Sequence, residues 1–504
     1  MNRREFLIAA AAAAIPLWAA PGDDLAFASA ITAADAIRKK KLSAVELTKS
    51  CFARIALLDP KINAVIIKLE AESLVRAREA DAALAKGKPW GPLHGVPITI
   101  KESFAVVGTP TTWGRPDFKN NRATGNAIAV ERLLRAGAIV AGKTNVPVML
   151  MDWQSYNPVY GVTNNPWDLS RTPGGSTGGG AAALAAGLGY ISLGSDIGGS
   201  IRVPAHFCGV YGHKPTINLV PLGGHQPDAQ PPFGSESVDL PVAGPLARTA
   251  EDLRLALEVI GGPAGDDAIA LSWKMPVPRH ARLGDFRVGY VIDDAYSKVS
   301  GDTLPVLETV IRGLEKAGAK LERGWPQGLE PGGLVYEYLY LLGSQTQPST
   351  PEYLAEARAA YEKDPKDPFL ASAVGPHSRW LAATRARFRA RATWQRYFET
   401  HDVFLMPAGL SAAYPHDHTG TSLDNTRTIP TPEGRRPYLE FINWQVPASL
   451  TGLPSTVAPV GRTAGGLPVG IQIMGPFLED GTTIRFAELL KDVAGGFTPP
   501  PGFA

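Results

Sequence analysis

The chain has 504 residues, 44% of them hydrophobic and 19% charged, an ordinary globular composition that excludes a disordered protein. Its net charge of +2 gives no electrostatic basis for binding nucleic acid or an anionic membrane. The two cysteines, Cys51 and Cys208, are no disulfide framework. Two buried thiols are the expected state, and a single bridge requires the fold to bring them together.

The first segment, "MNRREFLIAAAAAAIPLWAA", places Arg3 and Arg4 ahead of Phe6, Leu7 and an alanine-rich run. That pattern reads as a secretion leader of the twin-arginine type. The apolar stretch is too short for a comfortable span of about 20 residues. The expected organisation is a leader over residues 1–28 and one large domain over 29–504. "AFAS" offers a small-x-small cleavage site after Ala28, while Pro21 and Gly22 mark an alternative boundary. A periplasmic or secreted protein with no stable membrane insertion follows.

Residues 31–59 read as two helices, the second capped by Ser43 with Glu46 three residues on. "ESLVRAREADAALAKG" continues as an amphipathic helix that ends at Gly87, and "VPITIK" as a short strand. "NAIAVERLLRAGAIVAGKT" reads as a helix, a stop at Gly137 and a buried strand. "RTPGGSTGGGAAALAAGLGYISLGSD" gives a glycine loop, an alanine-rich helix and a strand. "FRVGYVI" is a strand, followed by a helix over "LPVLETVIRGLEKAG". Residues 332–397 are mostly helical. "DVFLMP", "STVAPVG" and "PVGIQIMGP" read as core strands, with a long polar loop over 411–438. Helices alternating with apolar strands predict an α/β fold, a large sheet covered by helices on both faces.

Three motifs compete for the chemistry. "GAIVAGKT" fits the phosphate-loop pattern through Gly137, Gly142, Lys143 and Thr144. Its four intervening residues read as strand rather than loop, and Pro147 interrupts the helix that should follow. "GGSTG" fits the nucleophile elbow through Gly174, Ser176 and Gly178, but "DLSRTP" makes a poor preceding strand. The third combines both glycine-serine sites with a lysine. In "GSDIGGSIRVP", Ser200 follows Gly198 and Gly199, whose N–H groups suit an oxyanion. One helix and one strand separate Ser176 from Ser200, which allows the two hydroxyls to meet. Lys101 ends "VPITIK" and can reach the same sheet edge. Serine-lysine pairs are a known variant of triad logic, so a relay without histidine is available. Neither His206 nor His213 sits in a triad pattern.

The chain resembles the amidase signature family along nearly all of residues 29–504. The matching stretches are "GPLHGVPITIKES", "AGKTNVP", "NPWDLSRTPGGSTGGGAAALAAG", "GSDIGGSIRVPAHFCGVYGHKPT", "GPLART" and "LTGLPSTVAPVG…GLPVGIQIMGP". The resemblance implies one mixed sheet surrounded by helices and hydrolysis of amide C–N bonds through an acyl-enzyme. By motif, Ser200 takes the nucleophile's place and Ser176 that of a bridging serine after a cis peptide bond. Lys101 takes the base's place, and the N–H groups of Ile197, Gly198, Gly199 and Ser200 that of the oxyanion hole. The expected relay passes a proton from Ser200 to Ser176 to a neutral Lys101. An unperturbed lysine is almost wholly protonated at neutral pH, so burial must lower its pKa. No metal or organic cofactor is expected, and the partner is a small-molecule amide. A homodimer is an allowed assembly.

Three positions depart from the family pattern: Thr177 for serine, Glu102 for aspartate, and His213 for a hydrophobic residue. Asp196 and Arg202 are expected as a structural ion pair. His416, Asp417 and His418 read as solvated loop residues rather than metal ligands. Trp153, Tyr156 and Trp444 suit an apolar pocket or plain core. Residues 411–438 and 332–380 are the expected pocket cover. Alternative functions are an esterase or carbamate hydrolase on the same fold, an amidotransferase-like subunit, and a serine esterase with its elbow at Ser176. Acyl and amine specificity is not legible.

Overall fold

An eleven-stranded mixed sheet runs through the molecule. In spatial order its strands are Val65–Lys68, Ile139–Thr144, Pro97–Lys101, Ile191–Asp196, Val242–Ala247, Tyr211–Lys214, Ser455–Arg462, Pro468–Met474, Val403–Pro407, Arg287–Tyr290 and Lys320–Arg323. The computed structural model describes residues 25–227, 231, 239–420 and 426–503. The expected leader therefore lies outside the described residues except for its last four. Leu25 and Ala28 already bind the body of the protein, accepting from Tyr190 Oη at 2.9 Å and Arg248 Nη2 at 3.0 Å. Among the described residues no helix is long and apolar enough to cross a membrane.

Local sequence explains how the elements are delimited. Ser43 and Glu46 form the expected capping box at the start of Ala44–Ile62. Gly137 ends the turn after Ile128–Arg135 with a left-handed φ of 98°. The strand that follows, Ile139–Thr144, is buried throughout, so the phosphate-loop motif holds strand where a nucleotide needs loop. Val242–Ala247 is a central strand that its own sequence disguises, because "VAGPLA" carries a proline and a glycine. Proline in a strand argues against central placement; here Pro245 sits opposite Leu193 in a continuous antiparallel register. The polar loop over 411–438 contains a small hairpin, Thr428–Thr431 with Gly434–Pro437.

The helix Gly178–Ala185 is buried on every side, which its alanines and glycines permit. A Cβ on Gly179 would stand 2.4 Å from the Asn145 backbone nitrogen, so only glycine lets the helix lie this close to the sheet. This close seating puts the "GGST" stretch at the carboxyl end of Pro97–Lys101, beside the "DIGGS" turn that leaves Ile191–Asp196. Both strands run parallel, so their ends open on one edge.

Candidate active site

Lys101 is the last residue of its strand and is fully buried. Its Nζ lies 2.7 Å from Ser176 Oγ, 2.9 Å from Ser195 Oγ and 3.4 Å from Ser195 O. Among the described residues no carboxylate bonds to it. Burial pushes its pKa down to about 7, against a smaller opposing pull from Asp196. Lys101 is thus set to hold or release a proton near neutrality.

Ser176 follows Gly175 across a cis peptide bond. The next residue, Thr177, donates its N–H to Ser200 O at 3.0 Å, which ties the two glycine-serine stretches together. Thr177 Oγ1 also donates to Ser195 O at 3.2 Å, so the departure from serine keeps a working hydroxyl. Ser200 and Ser176 line one cavity of about 140 Å³. Among the described residues the Ser200 hydroxyl makes no protein hydrogen bond, so the direct Ser176–Ser200 link of the expected relay is unmade in the ligand-free chain. Such bonds often tighten only around substrate.

The turn from Ile197 to Ser200 is held from below by a charge. Asp196 accepts from the N–H groups of Gly199 and Ile201 at 2.9 and 3.0 Å. It also pairs with Arg202 at 2.9 Å, both side chains being fully buried. Burial alone would raise the Asp196 carboxyl, but Arg202 and the turn's N–H groups hold it at about 2. The Arg202 fork also reaches Gln472 Oε1, Ser449 Oγ and Gln445 O. Of the four N–H groups expected to face an oxyanion, that of Gly199 is therefore engaged by Asp196. Those of Ile197, Gly198 and Ser200 have no protein acceptor among the described residues. Gly199 has a φ of 101°, and a Cβ there would meet Gln445 at 2.9 Å, so the turn admits only glycine at this point. Trp153 Nε1 and Tyr338 Oη pin the outer side of the turn, donating to Gly198 O at 2.9 Å and to Ile197 O at 3.0 Å.

The cavity is walled by Trp113, Met149, Leu150, Met151, Leu222 and Pro241. A second cavity of about 80 Å³ also reaches Ser200, between Leu150, Met151, Asp152, Trp153 and Leu439. Trp153 thus belongs to the site. Trp444 is core, stacked on Trp325 at 6.2 Å, and Tyr156 stacks on His418 at 3.9 Å. Of the expected cover, Tyr338 reaches the turn, while Leu439, just past the loop over 411–438, lines the second cavity. His416 bonds Asn164 Oδ1 at 3.1 Å. Among the described residues no cluster of three or more His, Cys, Asp or Glu is arranged to hold a metal. Cys51 and Cys208 are free and buried.

The histidines divide clearly. His206 Nδ1 accepts from Gly470 N at 2.7 Å and its Nε2 faces Ser411 O at 3.0 Å, a purely structural arrangement. His213 is held between Thr456 Oγ1 and Asp480. His225, which no motif marks, lines the cavity instead, and its Nε2 lies 2.9 Å from Ser195 Oγ. The only sequence signal for it is a polar ring after the glycine pair in "GGHQP". Ser195 is likewise unmarked, although it precedes Asp196 inside the glycine-serine stretch. The buried Glu102 accepts from the Thr112 and Trp113 N–H groups at 2.5 and 2.9 Å, which shapes the loop carrying Trp113.

A profile of the amidase family matches residues 46–484, and the chain belongs to that family. It is 35% identical to an indoleacetamide hydrolase of Bradyrhizobium diazoefficiens over 467 residues, 90% of this chain and 84% of the relative. It is 30% identical to an acylamidase of Rhodococcus erythropolis over 473 residues, 92% of this chain and 95% of the relative. Its fold superimposes on a glutamyl-tRNA(Gln) amidotransferase subunit of Thermotoga maritima with a TM-score of 0.71 at 25% identity. That match covers 91% of this chain and 97% of the other.

Proposed function

We propose that the protein hydrolyses the C–N bond of an uncharged, largely apolar amide through an acyl-enzyme on Ser200. One observation carries this reading: a fully buried lysine, with no carboxylate partner among the described residues, lies 2.7 Å from Ser176 Oγ, and Ser176 lines the same cavity as Ser200. Neutral Lys101 takes the Ser176 proton while Ser176 takes that of Ser200, and the Ser200 Oγ bonds to the substrate carbonyl carbon. The N–H groups of Ile197, Gly198 and Ser200 receive the oxyanion. The relay then returns a proton to the amine nitrogen as its bond to carbon breaks, and water cleaves the ester by the same path.

Two apolar cavities meeting at Ser200 suit an acyl group on one side and an amine substituent on the other. Among the described residues the carboxylate lining the larger one, Asp196, is paired with Arg202, and the one lining the smaller, Asp152, is paired with Arg427, so neither is left for a charged substrate. Relatives named for acyl amides and indoleacetamide agree with that class. Trapping with a serine-reactive phosphonate followed by peptide mapping tests the nucleophile. Label on Ser200 supports the reading, and label on Ser176 overturns it in favour of the elbow. A panel of aryl, acyl and charged amino-acid amides tests the class; turnover confined to the charged members would overturn it.

The likeness to an amidotransferase component favours a second reading, a chain that works only inside a complex. Turnover of simple amides by the isolated protein excludes it. For location, we propose export on the paired Arg3 and Arg4, with processing ahead of Leu25, whose carbonyl is already bonded to the domain. Fractionation with Arg3→Lys and Arg4→Lys tests this, and an unchanged distribution overturns it.

A further inference from the structure

We propose that His225, acting through the Ser195 hydroxyl, is a positioning residue that keeps the lone pair of neutral Lys101 aimed at Ser176. The proposal rests on Lys101 being the base and adds what makes it one in the correct orientation.

A neutral amine has two N–H donors and one lone pair. Around Lys101 Nζ stand three oxygens: Ser195 O, Ser195 Oγ and Ser176 Oγ. The carbonyl can only accept, so it takes one N–H. The other N–H and the lone pair are shared between the two hydroxyls. If Ser195 donates its proton to Nζ, the lone pair is occupied and Ser176 has no base. If Ser195 donates elsewhere, its oxygen accepts the second N–H and the lone pair falls to Ser176. The alternative acceptor is present: His225 Nε2, 2.9 Å from Ser195 Oγ.

Three features suit His225 to this task. Its ring is buried and remains neutral over the working range, since burial first and the nearby Lys101 second push its pKa down to about 3. A neutral ring has one nitrogen free to accept. The ring is also fixed in place, edge-on to Phe104 at 4.5 Å and against Trp113 at 5.4 Å. Trp113 Nε1 further donates to His225 O at 3.0 Å. Finally, the Ser195 hydroxyl at 2.9 Å stands nearer to Nε2 than Ser103 Oγ at 3.2 Å, so with the ring proton on Nδ1 the single Nε2 lone pair falls to Ser195. Among the described residues the charged group set against Lys101 is Asp196, paired with Arg202, and neither of these shares this chain of hydroxyls.

The test is the pH profile of amide turnover in Ser195→Ala, Ser195→Thr, His225→Leu, His225→Gln and the Ser195→Ala/His225→Leu double variant. We expect Ser195→Ala and His225→Leu each to lose about 10–100-fold in kcat, part of what general base catalysis supplies. The double variant should lose no more than the worse single one, because both act through one chain. Ser195→Thr and His225→Gln, which retain a hydroxyl and an acceptor, should recover most of the loss. The acid limb of Ser195→Ala should move to lower pH, because the ammonium form loses an acceptor. A merely structural role would leave that limb in place. Normal kcat with an unmoved limb in folded Ser195→Ala overturns the proposal, as do additive losses in the double variant. Ser195→Ala removes a single atom, so it keeps the test open should His225→Leu not fold. Full amide turnover by Lys101→Ala would fail the underlying reading itself; an inactive Lys101→Ala beside a normal Ser195→Ala would fail only this proposal.

Discussion

Lys101 and Lys143 sit on neighbouring parallel strands, one residue out of step, with Lys143 opposite Ile100 and Lys101 opposite Thr144. Their side chains therefore leave opposite faces of the sheet. Both are fully buried, and burial lowers both, to about 7 and about 8. Their surroundings differ. Lys143 bonds Pro110 O and Thr111 Oγ1, and Glu102 supplies a nearby negative charge. Those partners suit an ammonium that braces a loop. Lys101 faces two hydroxyls and a carbonyl beside an apolar cavity, where a proton has somewhere to go. A lowered lysine pKa is thus no sign of chemistry on its own; the groups within hydrogen-bond reach decide.

The hardest blow to this comparison falls at the end of the Lys101 chain. Ser200→Ala should lose at least about 1,000-fold in amide turnover with the fold intact, since no acyl-enzyme can form. Steady-state assays beside a thermal melt check it, and a variant within tenfold of the parent would show that Lys101 serves another group. Next comes the exchange of the lysines themselves. Lys101→Arg should lose about 100–10,000-fold, because guanidinium stays protonated and cannot accept. Lys143→Met should keep kcat within a few-fold while losing about 3 kcal/mol of stability, because it strands the buried Glu102. Denaturant melts and amide kinetics on both variants separate the two roles. Equal losses of activity would erase the distinction.

A pH series sharpens the same contrast. With Lys101 as the proposed base, kcat/KM should climb roughly tenfold per pH unit below about 7 and level off above it. Lys143→Met should leave that limb where it is. Stability moves with pH for a related reason. Between about pH 7 and 10.5 the unfolded chain binds the Lys101 proton and the folded chain does not. The contribution of this residue therefore rises with pH across that window and is at its most unfavourable below it. Lys101→Met should flatten that part of the stability curve, as read from denaturant midpoints across the range.

The sequence makes one of these lysines conspicuous for the wrong reason. "GAIVAGKT" advertises Lys143 as a phosphate binder, although three of its four central residues, Ile139, Val140 and Ala141, are buried strand. Lys101 carries no local motif, and only the long run of ordered stretches around it directs attention there. The glycine-serine turns are legible because backbone geometry demands specific residues: Gly199 at a left-handed φ, and Gly179 against the Asn145 backbone. The sheet's strands are legible where burial is continuous, as in "VFLMP", and hidden where Pro245 breaks the pattern. The pocket is hardly legible at all. Its walls come from Trp113, Met149–Met151, Leu222 and Leu439, which are far apart in the chain and ordinary in type. Helices of the expected cover, such as Pro351–Lys363 with only Ala357 buried, show half-polar faces that disclose neither what they shelter nor how closely. His225 and Ser195 escape notice because their role depends on a distance, and distances across a sheet edge have no spacing signature.

The smallest effect concerns the frame around the turn. Tyr338 and Trp153 make no hydrogen bond to Lys101, Ser176 or Ser200, yet each donates to a carbonyl of the Ile197–Gly198 peptide units. A peptide's C=O and the next N–H lie in one plane, so fixing the carbonyls of Ile197 and Gly198 fixes the N–H groups of Gly198 and Gly199. The Gly199 N–H is already committed to Asp196. The Gly198 N–H is free to meet an oxyanion, and its peptide is the one that Tyr338 holds. Removing the Tyr338 hydroxyl forfeits one hydrogen bond, worth about 1 kcal/mol net, which corresponds to roughly fivefold in rate if it is felt only in the transition state. Tyr338→Phe should therefore lower kcat about fivefold and leave KM nearly unchanged. Trp153→Phe should do less to kcat, because the N–H it orients serves Asp196, and more to KM, because the indole also walls the smaller cavity. The two substitutions thus divide along kcat and KM. If Trp153→Phe instead carries the larger kcat loss, the Gly199 N–H leaves Asp196 to join the oxyanion hole during turnover.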